Sequence, residues 1–224
     1  MVRPRLLVSL IALALQVATS RAMDTNGVLS EWFAAENQLQ TWSADLVQTR
    51  TLKTLTQPLV ATGHLWFAKP NLFRWQLGEG PRTVALRQTN ELLVVYPLLK
   101  RAERYPVAGG GGQWRDAISL LEAGFPRNRA EFNSQFRLLS FGQTNGAWEL
   151  TLLPNSLFAR KIMTQLRIGL ATNDFSLVST ALVFSDGSEL RNDFTNTVLN
   201  HPLDQHTFEW NLGSDFKVTE PLGK

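Results

Sequence analysis

The chain contains no cysteine. Disulfides, thiolate metal sites, cysteine nucleophiles and the lipid-modified cysteine of a lipoprotein are thereby excluded. Histidine is scarce as well, with three in 224 residues. His201 and His206 flank Pro202 and Asp204 without the i, i+4 spacing of a helical metal pair, and His64 lies inside a run of aromatic residues, where a structural role is expected. No metal site is expected, and no Gly-x-Ser-x-Gly elbow, phosphate loop, dinucleotide fingerprint or zinc-protease motif is present. An excess of one charge is lacking too. The formal net charge of +3 resides in Arg3, Arg5 and Arg21, and beyond residue 22 the basic residues equal the 19 acidic ones. Nucleic acid and anionic membranes therefore have no electrostatic claim as partners.

The first residues have the layout of an export signal: Arg3 and Arg5, an apolar run from Leu6 to Val17, then small residues around Ala18, Ser20 and Ala22. That run is short of the roughly 20 residues a membrane span needs. We read residues 1–22 as a cleaved signal peptide, with cleavage after Ser20 as the second choice and an uncleaved anchor as the competing reading. Export and a single domain over residues 23–224 are expected, since about 200 residues suffice for one sizeable core.

What the sequence has in abundance is aromatic side chains, with seven Trp and thirteen Phe. They concentrate in residues 62–77, Thr-Gly-His-Leu-Trp-Phe-Ala-Lys-Pro-Asn-Leu-Phe-Arg-Trp-Gln-Leu. Aromatic residues favour a pleated surface and Pro70-Asn71 supplies a turn, which predicts a hairpin. Large apolar groups fall on both of its faces, so either both are covered or one lines an apolar cavity.

Around this hairpin the chain reads as an amphipathic helix near Asp24–Gln40 and a first antiparallel meander from Trp42 to Tyr105. A second meander runs from Phe136 to Val198, with Asn145-Gly146 and Asp186-Gly187 as its clearest turns. Phe208, Trp210 and Leu212 alternate like a final short strand. Between the meanders, Gly109 to Gly112 reads as a flexible joint before a short helix that carries Trp114, Ala117, Ile118 and Leu121 on one face. That helix is either a lid on a glycine hinge or a plain packing helix behind a loose loop.

The run Gly63-x-Leu65-Trp66-x-x-Lys69-Pro70-Asn71-Leu72-Phe73-Arg74-Trp75 resembles the signature of the periplasmic outer-membrane lipoprotein carriers of the LolA type. Weaker collinear similarities follow at Trp42 to Gln48, Leu152-Leu153-Pro154, Phe184 to Gly187 and Asn192 to Thr197. The resemblance implies a mainly β protein with helices: an unclosed antiparallel β-barrel of about eleven strands, with a helical lid and an apolar cavity. It implies a monomeric periplasmic shuttle, not an enzyme and without a cofactor. Such a shuttle takes acylated lipoproteins from an inner-membrane ATP-driven transporter and delivers them to an outer-membrane receptor. Phe73 and Trp75 would carry the cavity, with Trp66 and Leu93 as further lining residues. Lys69 would control the lid by bonding to carbonyls near Ile118, Ser119 and Leu121. It stands where the family often has arginine, and keeps the charge but not the planar fork. Alternative readings are a carrier or sensor of another lipid or glycolipid on the same fold and, less favoured, an acyl esterase.

Overall fold

The predicted hairpin lies within a single sheet. The computed structural model describes residues 24–106, 125–126 and 128–221. In it β1 (Thr41–Thr51), β2 (Leu59–Ala68) and β3 (Leu72–Leu77) run antiparallel in succession. Leu65 lies opposite Trp75 and Phe67 opposite Phe73, which groups four large apolar side chains on one face. His64 and Trp66, opposite Gln76 and Arg74, stand on the other.

Gly63 is needed for this pairing, because a Cβ built there would lie 1.9 Å from the backbone carbonyl oxygen of Gln76. Backbone cannot move aside as a flexible side chain can. We expect Gly63→Ala to destabilise the protein by about 1–3 kcal/mol, read as a thermal midpoint several degrees lower. An unchanged midpoint would show that β2 and β3 have room to separate.

The first meander continues through β4 (Thr83–Arg87), β5 (Glu91–Tyr96) and β6 (Arg101–Pro106). The second comprises β7 (Phe136–Thr144), β8 (Ala147–Pro154), β9 (Met163–Ala171), β10 (Leu177–Phe184) and β11 (Glu189–Leu199). Asn145 and Gly146 join β7 to β8 with φ of 52° and 77°, the left-handed pair that an Asn-Gly hairpin turn uses. The two meanders join where β11 pairs antiparallel with β1.

A short β12 (Lys217–Thr219) adds in parallel to β6 and brings the strand count to twelve, against the eleven or so expected. The strand order is β12-β6-β5-β4-β3-β2-β1-β11-β10-β9-β8-β7, and its two ends do not pair, so the sheet is not closed into a barrel. The final strand expected at Phe208, Trp210 and Leu212 is a correction. Gln205–Phe208 forms a 3-10 turn, and Trp210 and Leu212 follow in irregular chain. With Phe216 these two pack on Val84, Leu86, Leu93, Val95 and Ala102, covering the outer face of β4–β6.

Three α-helices occur among the described residues: α1 (Thr25–Gln38), α2 (Arg129–Gln135) and α3 (Leu157–Ile162). Asp24 caps α1 by accepting from the backbone N–H of Gly27 at 2.7 Å. The helix buries Val28, Leu29, Trp32 and Phe33, and Phe132 of α2 meets Trp32 edge-on at 5.7 Å. No described helix is long and apolar enough to cross a membrane. The signal peptide, the glycine run and the helix carrying Ile118, Ser119 and Leu121 lie outside the described residues.

Strand alternation therefore divides the sheet into two chemically different faces. The inner face carries the main core, from Trp42, Ala44 and Leu46 through Leu65, Phe67 and Phe73 to Leu150, Leu152, Leu166 and Ile168. The outer face of β9–β11 is charged, with Arg167 paired to Glu189 and Arg191 to Asp193.

Candidate functional site

An apolar cavity of about 230 Å³ opens on the inner face, where the two halves of the sheet face each other. Phe73 and Trp75 of β3 form one wall, their rings 6.0 Å apart, and Leu166, Leu177 and Leu182 of β9 and β10 form the opposite one. Both aromatics point inward because the hairpin register sets them beside Leu65 and Phe67. Such a lining suits hydrocarbon and offers little to a charged ligand.

A polar ladder crosses this apolar lining. Gln48 of β1 lies opposite Asn192 of β11, which lies opposite Thr180 of β10. The Gln48 Nε2 donates to Asn192 Oδ1 at 3.0 Å, and Asn192 Nδ2 donates to Thr180 Oγ1 at 3.0 Å. All three side chains line the cavity.

A second cavity of about 170 Å³ adjoins α1 and α2 and is lined by Glu36, Phe67, Lys69, Glu131 and Phe132 among others. Phe125 borders both cavities. Its ring stacks on Phe67 at 4.5 Å and meets Trp42 edge-on at 5.2 Å, so it stands as a partition between an apolar chamber and a more polar one.

Glu36 belongs to the apolar stripe of α1 and is only 6% exposed. Burial pushes its carboxyl up to about 8, and the nearby Lys69 ammonium opposes that rise. Lys69 Nζ donates to the backbone carbonyl of Glu36 at 2.6 Å and to that of Asn37 at 3.3 Å. It thus caps the C-terminus of α1, where a cation is favoured by the exposed carbonyls. Among the described residues these are the hydrogen bonds its ammonium makes, and the lid carbonyls expected as its partners lie outside them. We expect Lys69→Leu to cost about 1–2 kcal/mol through loss of this cap and Lys69→Arg to retain most of it, read from urea midpoints. Equal stability of Lys69→Leu and wild type would count against the cap.

Of the four residues expected to line the cavity, Phe73 and Trp75 do so. Trp66 and Leu93 are corrections. Trp66 faces outward, 5.5 Å from the His64 ring and under the Arg74 guanidinium, which also sits 5.6 Å from the Trp210 ring. Leu93 pairs with Leu86 and joins the cluster beneath the C-terminal segment. Alternation turns both side chains away from the cavity.

The histidines lie apart from the cavity. His64 Nδ1 is 2.7 Å from an Asp45 carboxylate oxygen, and His206 contacts Glu209 at 2.9 Å. No group of three or more potential metal ligands occurs among the described residues. The residues that reading the sequence did not single out are Glu36, Gln48, Phe125, Thr180 and Asn192. Two of them carried a signal, since Glu36 interrupts the apolar face of α1 and Gln48 extends the Trp42, Ala44, Leu46 alternation of β1.

An unclosed, mainly antiparallel sheet with helices and an apolar cavity on one face defines the class. The chain belongs to the outer membrane lipoprotein carrier protein LolA family, whose model matches residues 37–211. No curated protein matches it in sequence. Among solved structures it is similar to a DUF1329 family protein from Desulfovibrio piger, at 11% identity, TM-score 0.48, and coverage of 82% of this chain and 96% of that one. A LolA superfamily protein from Nitrosomonas europaea matches at 11% identity, TM-score 0.43 and 83% and 97% coverage. Lipoprotein LppX from Mycobacterium tuberculosis matches at 11% identity, TM-score 0.45 and 81% and 99% coverage.

Proposed function

We propose that this protein is a non-enzymatic periplasmic carrier. On this reading it binds the acyl chains of lipoproteins released from the inner membrane and carries them to the outer membrane. The observation that supports it most is the apolar cavity walled by Phe73 and Trp75 in a chain of the LolA family. Burying an acyl chain contributes roughly 0.8 kcal/mol per CH2, so a carrier holds its cargo by area alone and needs no cofactor. Delivery requires a donor and an acceptor: an inner-membrane ATP-driven transporter and an outer-membrane receptor. Lys69 and the segment bearing Ile118, Ser119 and Leu121 are the proposed control of the opening.

Native mass spectrometry of the mature protein purified from the periplasm of its host tests this reading. We expect bound species whose masses are those of acylated lipoproteins. Retention of a single non-protein lipid would favour a specialised lipid carrier, and an empty cavity that takes up no acyl compound would overturn the carrier reading.

A further inference from the structure

Resting on the reading of the cavity as an acyl-binding site, we infer that the Gln48–Asn192–Thr180 ladder selects ligands whose chain bears an ester or amide carbonyl, over plain hydrocarbon. Asn192 is 3% exposed and sits among Leu46, Leu182, Leu190 and Phe194. Burying an amide there without need is costly, and a leucine would continue the surrounding apolar surface. Three polar side chains aligned across three adjacent strands are a built feature of the cavity wall.

The hydrogen-bond inventory points to the ligand. Two amides and one hydroxyl supply more donors than the two bonds inside the ladder use, and no further side-chain partner is found for them among the described residues. Gln48 and Thr180, at the ends of the ladder, are only partly buried and line the cavity. Acceptor capacity is left over as well, but the ladder always ends on a free donor, the Thr180 hydroxyl as the amides stand and the Gln48 amide if both are turned. A carbonyl oxygen accepts, so it can take that free donor. An alkane offers it nothing and leaves that end donor covered without an acceptor. Thr180 and Gln48 are accordingly specificity residues, while the hydrocarbon wall supplies affinity.

The test is displacement of a fluorescent fatty-acyl probe from the mature protein by a medium-chain methyl ester and by an alkane of equal length. Wild type should favour the ester by about tenfold, the gain of one well-made hydrogen bond from a desolvated donor. Thr180→Val, which keeps the side-chain shape, and Gln48→Leu should each cut that preference to below about threefold. Melting curves followed by circular dichroism establish that both variants are folded. Equal displacement by ester and alkane in wild type, or an undiminished preference in both variants, would overturn the ladder's role and leave the acyl cavity standing. Failure of both compounds to displace the probe would overturn the cavity reading itself, and the ladder's role with it.

Discussion

Phe73→Glu is expected to abolish loading of acyl cargo. Phe73 is 6% exposed and its ring forms the cavity wall with Trp75, opposite Leu166 and Leu182. A carboxylate at that point stays ionised only if water or a cation enters with it, and neither is compatible with a packed acyl chain. Loss of the ring's apolar area and the carboxylate's desolvation together exceed about 3 kcal/mol, which is more than a hundredfold in affinity. Phe73→Leu keeps an apolar wall and is expected to bind within about tenfold of wild type. Equilibrium binding of a fluorescent acyl probe to both variants, with melting curves alongside, separates loss of the site from loss of the fold. Wild-type affinity in Phe73→Glu would remove Phe73 from the site.

The second large effect concerns pH. Glu36 carries an ordinary carboxyl value of 4.5 when exposed and about 8 in the folded protein, mainly through burial. Between those values the folded chain holds a proton that the unfolded chain has released. Stability therefore falls as pH rises from about 4.5 to about 8, and above that the deficit is complete. A shift of this size corresponds to an effect on the order of 5 kcal/mol at full extent. Glu36→Gln removes the titration. It should leave stability at pH 5 within about 1 kcal/mol of wild type and raise it by several kcal/mol at pH 9, measured by urea unfolding at both values. Parallel pH profiles for the two proteins would mean that Glu36 is solvated. Since the Lys69 ammonium opposes the rise, Lys69→Leu should extend the decline to pH values above 8 without steepening it.

How far the sequence alone reaches depends on the kind of contact. Local chemistry was legible: the Asn145-Gly146 turn and the β2–β3 hairpin both follow from residues adjacent in the chain. The antiparallel meanders were legible for the same reason, through alternation and turn spacing. The facing of Trp66 was not, because the length of the turn decides whether Trp66 or Phe67 stands opposite Phe73. A slip of one residue exchanges the two faces of a strand. The structure sets Phe67 against Phe73, and Trp66 goes outside with Arg74.

Leu93 shows a second limit. Its neighbours on β5 are apolar on both faces, so alternation cannot say which side holds the cavity. The outer side is occupied by Trp210, Leu212 and Phe216; the alternation of Phe208, Trp210 and Leu212 imitates a strand, while Trp210 and Leu212 serve to cover the sheet. The polar ladder shows a third, since Gln48, Thr180 and Asn192 are far apart in sequence and meet only through the pairing of β1, β11 and β10.

The central proposal, that this cavity carries lipoproteins between membranes, is tested most directly by incubating the mature protein with spheroplasts of its own host and assaying the soluble fraction. The account predicts ATP-dependent appearance of many outer-membrane lipoproteins in complex with the protein, and none with Phe73→Glu. Release of no lipoprotein by wild type, with ATP present and the protein folded, would contradict it.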